Sequence, residues 1–234
     1  MMNRRWMMTA ENAGYLTDSR MDISVMLEEG DSPPPVAFSS YYGLSRWAQK
    51  IGDMQIEKLN SSRAVRICGW VKSSGRGSWW YDQVWVDKNY TSYRSAMMQH
   101  VLLRYGLTRP TMKDIDADHL AARSMLMPWP KAWVCLFPVP QYSNRPFGGI
   151  EKTLPKVRAQ ESVLRLSPTI LFKAFCGFYP RNALEISITM QDVNNQILSI
   201  PNKEAERMLR RVAPEMAPYF NRRKKKFNTS KIQN

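Results

Sequence analysis

Residues 63–71 (RAVRICGWV) alternate in character, the period-two signature of a half-buried strand. Gly75, Arg76, Gly77 and Ser78 read as a turn, and residues 79–86 as a second strand, which together make a hairpin. A short helix is predicted over residues 44–51, ending near Gly52. Ser92 is placed to cap a helix that runs to about Tyr105, with Gly106 as its stop. Tyr93, Met97, His100 and Val101 share one face of that helix, so His100 reads as a packed side chain and not as a catalyst. Residues 131–137 (KAWVCLF) lie between Pro128 and Pro130 on one side and Pro138 and Pro140 on the other. That apolar run is too short for a buried helix and suits a buried strand.

Ser167 and Pro168 form a helix start, a hydroxyl cap followed by proline at the first helical position. The helix is predicted to reach Cys176 with Gly177 as its stop, and Ile170, Leu171, Phe172, Ala174 and Phe175 surround it, which makes it core. Leu184, Ile186, Ile188 and Met190 alternate, and residues 184–190 therefore predict a strand. Residues 203–213 predict an amphipathic helix capped by Asn202, with Ala205, Met208, Leu209 and Val212 on one stripe. Residues 1–35 are polar, Met-rich and acidic and close with Pro33, Pro34 and Pro35, a loosely ordered arm or lid ending in a stiff extended segment. These elements predict an α+β chain. Its centre is a mixed small-sheet domain over residues 36–200, with the acidic arm before it and a basic helix and tail, residues 201–234, after it. No internal repeat is present.

Composition adds a partner. At 234 residues the chain can bury roughly 70% of its unfolded surface. The 44% hydrophobic content then favours a folded protein over a disordered one. The net charge is +14, and residues 1–35 carry −3 of their own, so the remainder carries +17. Such a surplus points to a polyanion, most simply DNA or RNA. A basic surface that meets only solvent or an acidic protein is the alternative. Cys68, Cys135 and Cys176 are far apart and odd in number, which argues against a structural zinc site and a disulfide framework. No apolar stretch reaches the ~18 residues of a membrane span, and no signal peptide is apparent. The expectation is a cytoplasmic chain of bacterial or phage origin.

One stretch carries candidate chemistry. Asp116, Ala117, Asp118 and His119 place one of two histidines beside two carboxylates in a basic chain. Phosphodiester hydrolysis needs a water deprotonated near neutral pH, and an imidazole with an unperturbed pKa of ~6.5 can take that proton. It also needs positive charge on the phosphate oxygens, which a Mg²⁺ held by protein oxygens supplies. On a strand Asp118 and His119 point to opposite faces, so one can hold metal while the other addresses water. Asn144 lies 25 residues beyond His119, past the strand at 131–137 and at the entry to a helix carrying Ile150 and Glu151. It is the best candidate for a second oxygen ligand. The plain alternative is a polar turn whose carboxylates bond backbone N–H groups.

Strand, strand, then helix, with an Asp-His pair on the first strand and Asn144 at the helix entry, resembles the ββα-metal, or HNH (His-Me finger), endonucleases over about residues 114–155. The resemblance implies that Asp118 is a metal ligand, His119 the general base and Asn144 the second ligand, with Mg²⁺ or Mn²⁺ as cofactor. Glu151 or Lys152 falls near the family's third position, and the cysteine pairs that brace many members are missing.

Other signals concern binding. Trp79, Trp80, Tyr81 and Trp85 beside Arg76 are a stacking platform for bases or, more commonly for such strands, core. Arg222, Arg223, Lys224, Lys225 and Lys226, with Arg210 and Arg211, suit phosphates of any sequence, or else form a solvated tail. The leading expectation is a metal-dependent HNH-type nuclease acting on DNA more than RNA. A non-catalytic nucleic-acid-binding accessory protein of a phage or mobile element, and a basic structural or assembly protein, stay open.

Overall fold

The computed structural model describes residues 10–29, 33–72, 78–106, 112–151, 154–176, 183–198 and most of 203–216. Its strands are β1 (Pro35–Phe38), β2 (Gly52–Lys58), β3 (Ala64–Val71), β4 (Trp79–Asp87), β5 (Ile115–His119), β6 (Trp133–Pro140) and β7 (Val163–Arg165). Its helices are α1 (Ala10–Glu29), α2 (Tyr41–Ile51), α3 (Tyr93–Tyr105), α4 (Gln141–Glu151), α5 (Pro168–Phe175) and α6 (Ala183–Leu198). The class is α+β, as expected. The strands run antiparallel in the order β2-β3-β4-β6-β1-β7, and β5 pairs with β6 off that path.

The predicted hairpin is β3 and β4, paired from Ala64 opposite Val86 to Val71 opposite Trp79. The turn at 75–77 lies outside the described residues. β2 was not expected. It pairs with the whole of β3, and its own alternation is weak because its side chains are mostly exposed or half-buried. α2 begins at Tyr41, earlier than the apolar pattern indicates, because Ser40 caps it by accepting the Gly43 N–H at 3.2 Å. α3 ends where expected. Gly106 takes a left-handed φ of 66° and its N–H bonds the Leu102 carbonyl at 2.8 Å. Ser92 sits at the N-cap position without making a side-chain capping bond.

Phe38, Trp47 and Trp85 meet with ring centroids 5.6 Å apart in each pair, and Tyr81 closes on Trp47 at 5.9 Å. Each such pair stabilises by about 0.5–1.5 kcal/mol beyond its buried area. Trp85 and Tyr81 are thus core, whereas Trp80 lies exposed and edge-on to the exposed Trp70. Of the aromatic residues at 79–85, expected to stack on bases or more commonly to be core, Tyr81 and Trp85 are core and Trp80 is exposed beside Trp70.

Two segments differ from the sequence expectation. Residues 10–29, expected within a loosely ordered arm, form α1. Tyr15, Leu16, Ile23, Met26 and Leu27 are buried, and so are Asn12, Ser19, Asp22 and Ser24. The helix was illegible because its buried face mixes polar with apolar residues, which erases the 3.6-residue stripe. Residues 184–190, predicted as a strand, belong to α6. Leu184 and Ile188 are exposed while Thr189 and Val193 are fully buried, an i, i+4 pair on one helix face. The alternation of apolar residues there does not mark a buried face. Of the stripe predicted over residues 203–213, Met208 is buried, and Ala205, Leu209, Val212 and the expected cap Asn202 lie outside the described residues. No helix among the described residues is long and apolar enough to cross a membrane.

α1 docks through charge as well as apolar contact. Asp82 on β4 accepts from the Arg66 guanidinium at Nε and Nη2, at 2.8 and 2.7 Å, and pairs with His100 Nε2 at 2.8 Å. The Tyr15 hydroxyl lies 2.9 Å from His100 Nδ1. Burial pushes the Asp82 carboxyl up, but Arg66 and His100 more than offset it and hold the group well below the usual carboxylate range. An ionised Asp82 accepts from Nε2–H, which leaves Nδ1 to accept from Tyr15. Asp22 on α1 is bonded by Gln83 at 2.5 Å and Arg104 at 3.0 Å. His100 is packed within the fold, as its helix face indicated.

Candidate functional site

The alternation of β5 decides what each side chain reaches. Ile115, Ala117 and His119 are buried on one face, and Asp116 and Asp118 are half-buried on the other. Asp118 and His119 thus address opposite sides of the strand. β6 is the element that presents them. Its first half lies between β4 and β1, and its second half, Leu136 to Pro140, pairs with β5. The Leu120 and Gln141 N–H groups donate to the Cys135 and Asp114 carbonyls, both at 3.0 Å. That phase makes Asp118 opposite Phe137 and Asp116 opposite Val139 the hydrogen-bonded pairs. Pro138 and Pro140 fall at the alternate positions, where a proline removes no bond to β5. The strand therefore continues through the two prolines that bracket the apolar run.

α4 starts directly after β6, so strand, strand and helix follow as the sequence order indicated. Asn144 stands in the first turn of α4, and its amide nitrogen donates to Asp116 Oδ2 at 3.3 Å. Arg94 of α3 lies 3.6 Å from Asp116 Oδ1. Glu151 ends the helix two turns on. There Lys173 of α5 is ion-paired with both Asp118 and Glu151. The Asp118 and Glu151 side chains each keep 18% exposure, against 3% for Lys173. The ammonium is buried beneath two carboxylate side chains that are each partly exposed.

The electrostatics follow from that burial. Burial pushes the Asp118 carboxyl up to about 6, Lys173 opposes the shift and Glu151 adds to it. Burial alone would lower the Lys173 ammonium, and the two carboxylates outweigh it, so the group stays charged. Burial also lowers His119, to about 3, and the positive charges of Arg123 and Lys173 add to the fall. His119 is a neutral imidazole with 6% exposure, and its Nε2 is buried with no hydrogen-bond partner among the described residues. Its ring packs on Tyr93 at 4.8 Å, and the Arg123 guanidinium covers Tyr93 at 5.8 Å.

The structure brings Asp118 to Glu151 and Lys173, and Asn144 to Asp116. Asp118 and Asn144 share no hydrogen bond among the described residues. No three His, Cys, Asp or Glu side chains among those residues form a ready metal group. Asp116 and Asn144 form one pair, and Asp118, Glu151 and Lys173 form a separate ion cluster in which the ammonium already neutralises the carboxylates. Lys173 was missed by the sequence reasoning, although a signal existed. It is the one charged residue in the otherwise apolar helix PTILFKAF, where burial demands a partner.

Of the phosphate-binding candidates, Arg210 and Arg211 are exposed and pair with Glu206 and Glu215 one turn away. Surface pairs of this kind hold weakly and leave both guanidinium groups open to exchange partners. Arg222, Arg223, Lys224, Lys225 and Lys226 lie outside the described residues. Compared with protein families, curated proteins and solved structures, the chain has no match.

Proposed function

We propose that the chain is a metal-dependent endonuclease of HNH type that hydrolyses phosphodiester bonds in nucleic acid, DNA more than RNA. The supporting observation is the continuous β5–β6–α4 element, with Asp118 and His119 at the end of its first strand and Asn144 in the first turn of its helix. The resemblance makes Asp118 and Asn144 the residues that would hold Mg²⁺ or Mn²⁺, whereas in this structure Asp118 is paired with Lys173 and Asn144 with Asp116, so the two would have to change partners. The ion supplies positive charge to the phosphate oxygens when bound. His119 Nε2, without a hydrogen-bond partner among the described residues, would take the proton from water, and the burial that lowers its pKa makes it a weak base for that step. The chain's net charge of +14 supports a polyanionic substrate.

Nicking of supercoiled plasmid tests this. Nicking is expected with Mg²⁺ or Mn²⁺ and is lost in EDTA. One observation favours a second reading, nucleic-acid binding without cleavage, because the Asp118 carboxylate is already neutralised by Lys173. Salt-sensitive DNA binding with no nicking under either ion establishes that reading in place of the first.

A further inference from the structure

The sheet carries an aromatic pair that the core does not use. Trp70 on β3 stands directly opposite Trp80 on β4, so both side chains leave the same face of the sheet. They are 51% and 43% exposed. Cys68 and Asp82, the next cross-strand pair on that face, are buried, and His100 of α3 bonds Asp82 there. The face is thus covered at Asp82 and open at the tryptophans. Their ring centroids lie 5.5 Å apart at an interplanar angle of 78°. An edge-to-face pair uses one face of one ring, which leaves other ring faces free for a third ring.

The surroundings limit what settles on the pair. β2 places Asp53 opposite Trp70, and Asp53 and Gln55 are exposed, so polar side chains bound the two rings on that strand. A protein interface buries about 800 Å² on each partner, and its core is depleted in charge. A pair of rings on a sheet face with a polar border is instead the geometry on which unpaired bases stack. The Lys72 ammonium lies 3.4 Å from the Asp53 carboxylate, and the two side chains are 73% and 81% exposed. So solvated a pair holds weakly, and a phosphate can take the ammonium from it. The chain's net charge of +14 favours that exchange.

We propose that Trp70 and Trp80 form a stacking site for one or two unpaired bases of single-stranded nucleic acid, with Lys72 taking the adjoining phosphate. The proposal goes beyond cleavage and shares with the nuclease reading only the choice of nucleic acid as partner. Bases within a duplex are stacked on one another, so their faces are closed to the rings. The site therefore adds affinity for single strands and none for blunt duplex.

The test uses the full-length chain in EDTA, which removes cleavage from the readout. Fluorescence anisotropy follows labelled oligothymidylate and oligouridylate of about 12 nucleotides, within the site sizes of such surfaces, and a blunt duplex of the same phosphate count. Trp70→Leu and Trp80→Leu should each weaken single-strand binding by about 5- to 150-fold and leave duplex binding unchanged. Trp80→Phe, which keeps a ring, should retain most of the affinity. The leucine variants should keep the wild-type salt slope, because the rings touch no phosphate, whereas Lys72→Gln should lower it by about 0.7. Both tryptophans are exposed, so every variant is expected to melt close to wild type. Unchanged single-strand affinity in the folded double leucine variant overturns the proposal. An equal loss for single strand and duplex overturns it too, as does failure of the wild type to bind either oligonucleotide. Should the double variant not fold, the two single variants decide by the same criteria. If anionic phospholipid vesicles bind wild type but not the leucine variants, with oligonucleotide affinity unchanged, the pair belongs at a lipid surface and the proposal falls. Absence of nicking with either metal removes the nuclease reading alone, because none of these readouts depends on cleavage.

Discussion

His100 and His119 are both buried, in two charged clusters of different completeness. Around His100 the groups satisfy one another. Both ring nitrogens are engaged, by Asp82 and Tyr15, and Asp82 is also gripped by Arg66. Around His119 the bonding is incomplete. Nε2 has no partner among the described residues, and on the strand's other face two carboxylates share one ammonium. A closed polar network inside a fold fixes geometry, and breaking it leaves buried groups unpaired. A cluster with an unpaired nitrogen and surplus carboxylate retains capacity for a proton, an ion or a water. The first cluster is a closed part of the architecture and the second is left with unmet bonding capacity, in line with the helix face of His100 and the carboxylates beside His119 in the sequence.

The sharpest way to break that comparison is to exchange the two histidines' fates. His119→Ala is expected to reduce plasmid nicking by about 10²–10⁴-fold while DNA binding by gel shift stays near wild type, because the base acts on water and not on phosphate. His100→Ala should do the reverse, lowering stability while leaving nicking per folded molecule unchanged. Full nicking by His119→Ala removes it from the mechanism.

Asp82→Ala comes next. It strands the Arg66 guanidinium and His100 inside the protein, and unfolding in urea should show a loss of about 3–5 kcal/mol. A loss below about 1 kcal/mol would mean that the network is incidental to stability.

Asp22 gives the closed cluster a pH signature. Burial pushes its carboxyl up to about 7, against the pull of Arg104 and Gln83. The folded state therefore binds this proton more tightly than the unfolded chain does. The contribution to stability is fully present below about pH 4 and is lost as pH rises through about 7, a change of order 4 kcal/mol. Asp22→Asn cannot ionise, so the difference between its stability and that of wild type should move by that order across this range. Parallel curves for the two proteins would refute the shift.

The smallest effect is expected at the C-terminus, where residues 203–234 carry a net charge of +7. If this segment tracks duplex phosphates, deleting residues 221–234 should flatten the salt dependence of binding by about 0.9 in slope for each phosphate the tail neutralises. Base preference should not change, since phosphate contacts carry no sequence information. An unchanged slope would leave the polyanion contact to the folded part of the chain.

Local rules by themselves determined much of this protein. The β3–β4 hairpin follows from alternation, and the ends of α2, α3 and α5 follow from Ser40, Gly52, Gly106, Ser167 and Pro168, because caps and stops act within a few residues. The order of β5, β6 and α4 matches the strand, strand and helix expected around Asp118, His119 and Asn144, although α4 begins at Gln141, before the expected entry at residues 143–146. Tertiary structure alone decided the rest. α1 is held by side chains from β4 and α3 that lie more than 60 residues away, such as Gln83 and Arg104 on Asp22, and no local pattern encodes such partners. At 184–190 the alternation was present but the side facing the core was not, since burial depends on what packs against α6. The pairing of Asp118 with Lys173 crosses 55 positions of the chain, and only the approach of α5 to β5 gives a core helix's lone lysine its carboxylate partner. Spacing within a segment is set by backbone geometry, whereas the partner of a buried charge is set by which segments the fold brings together.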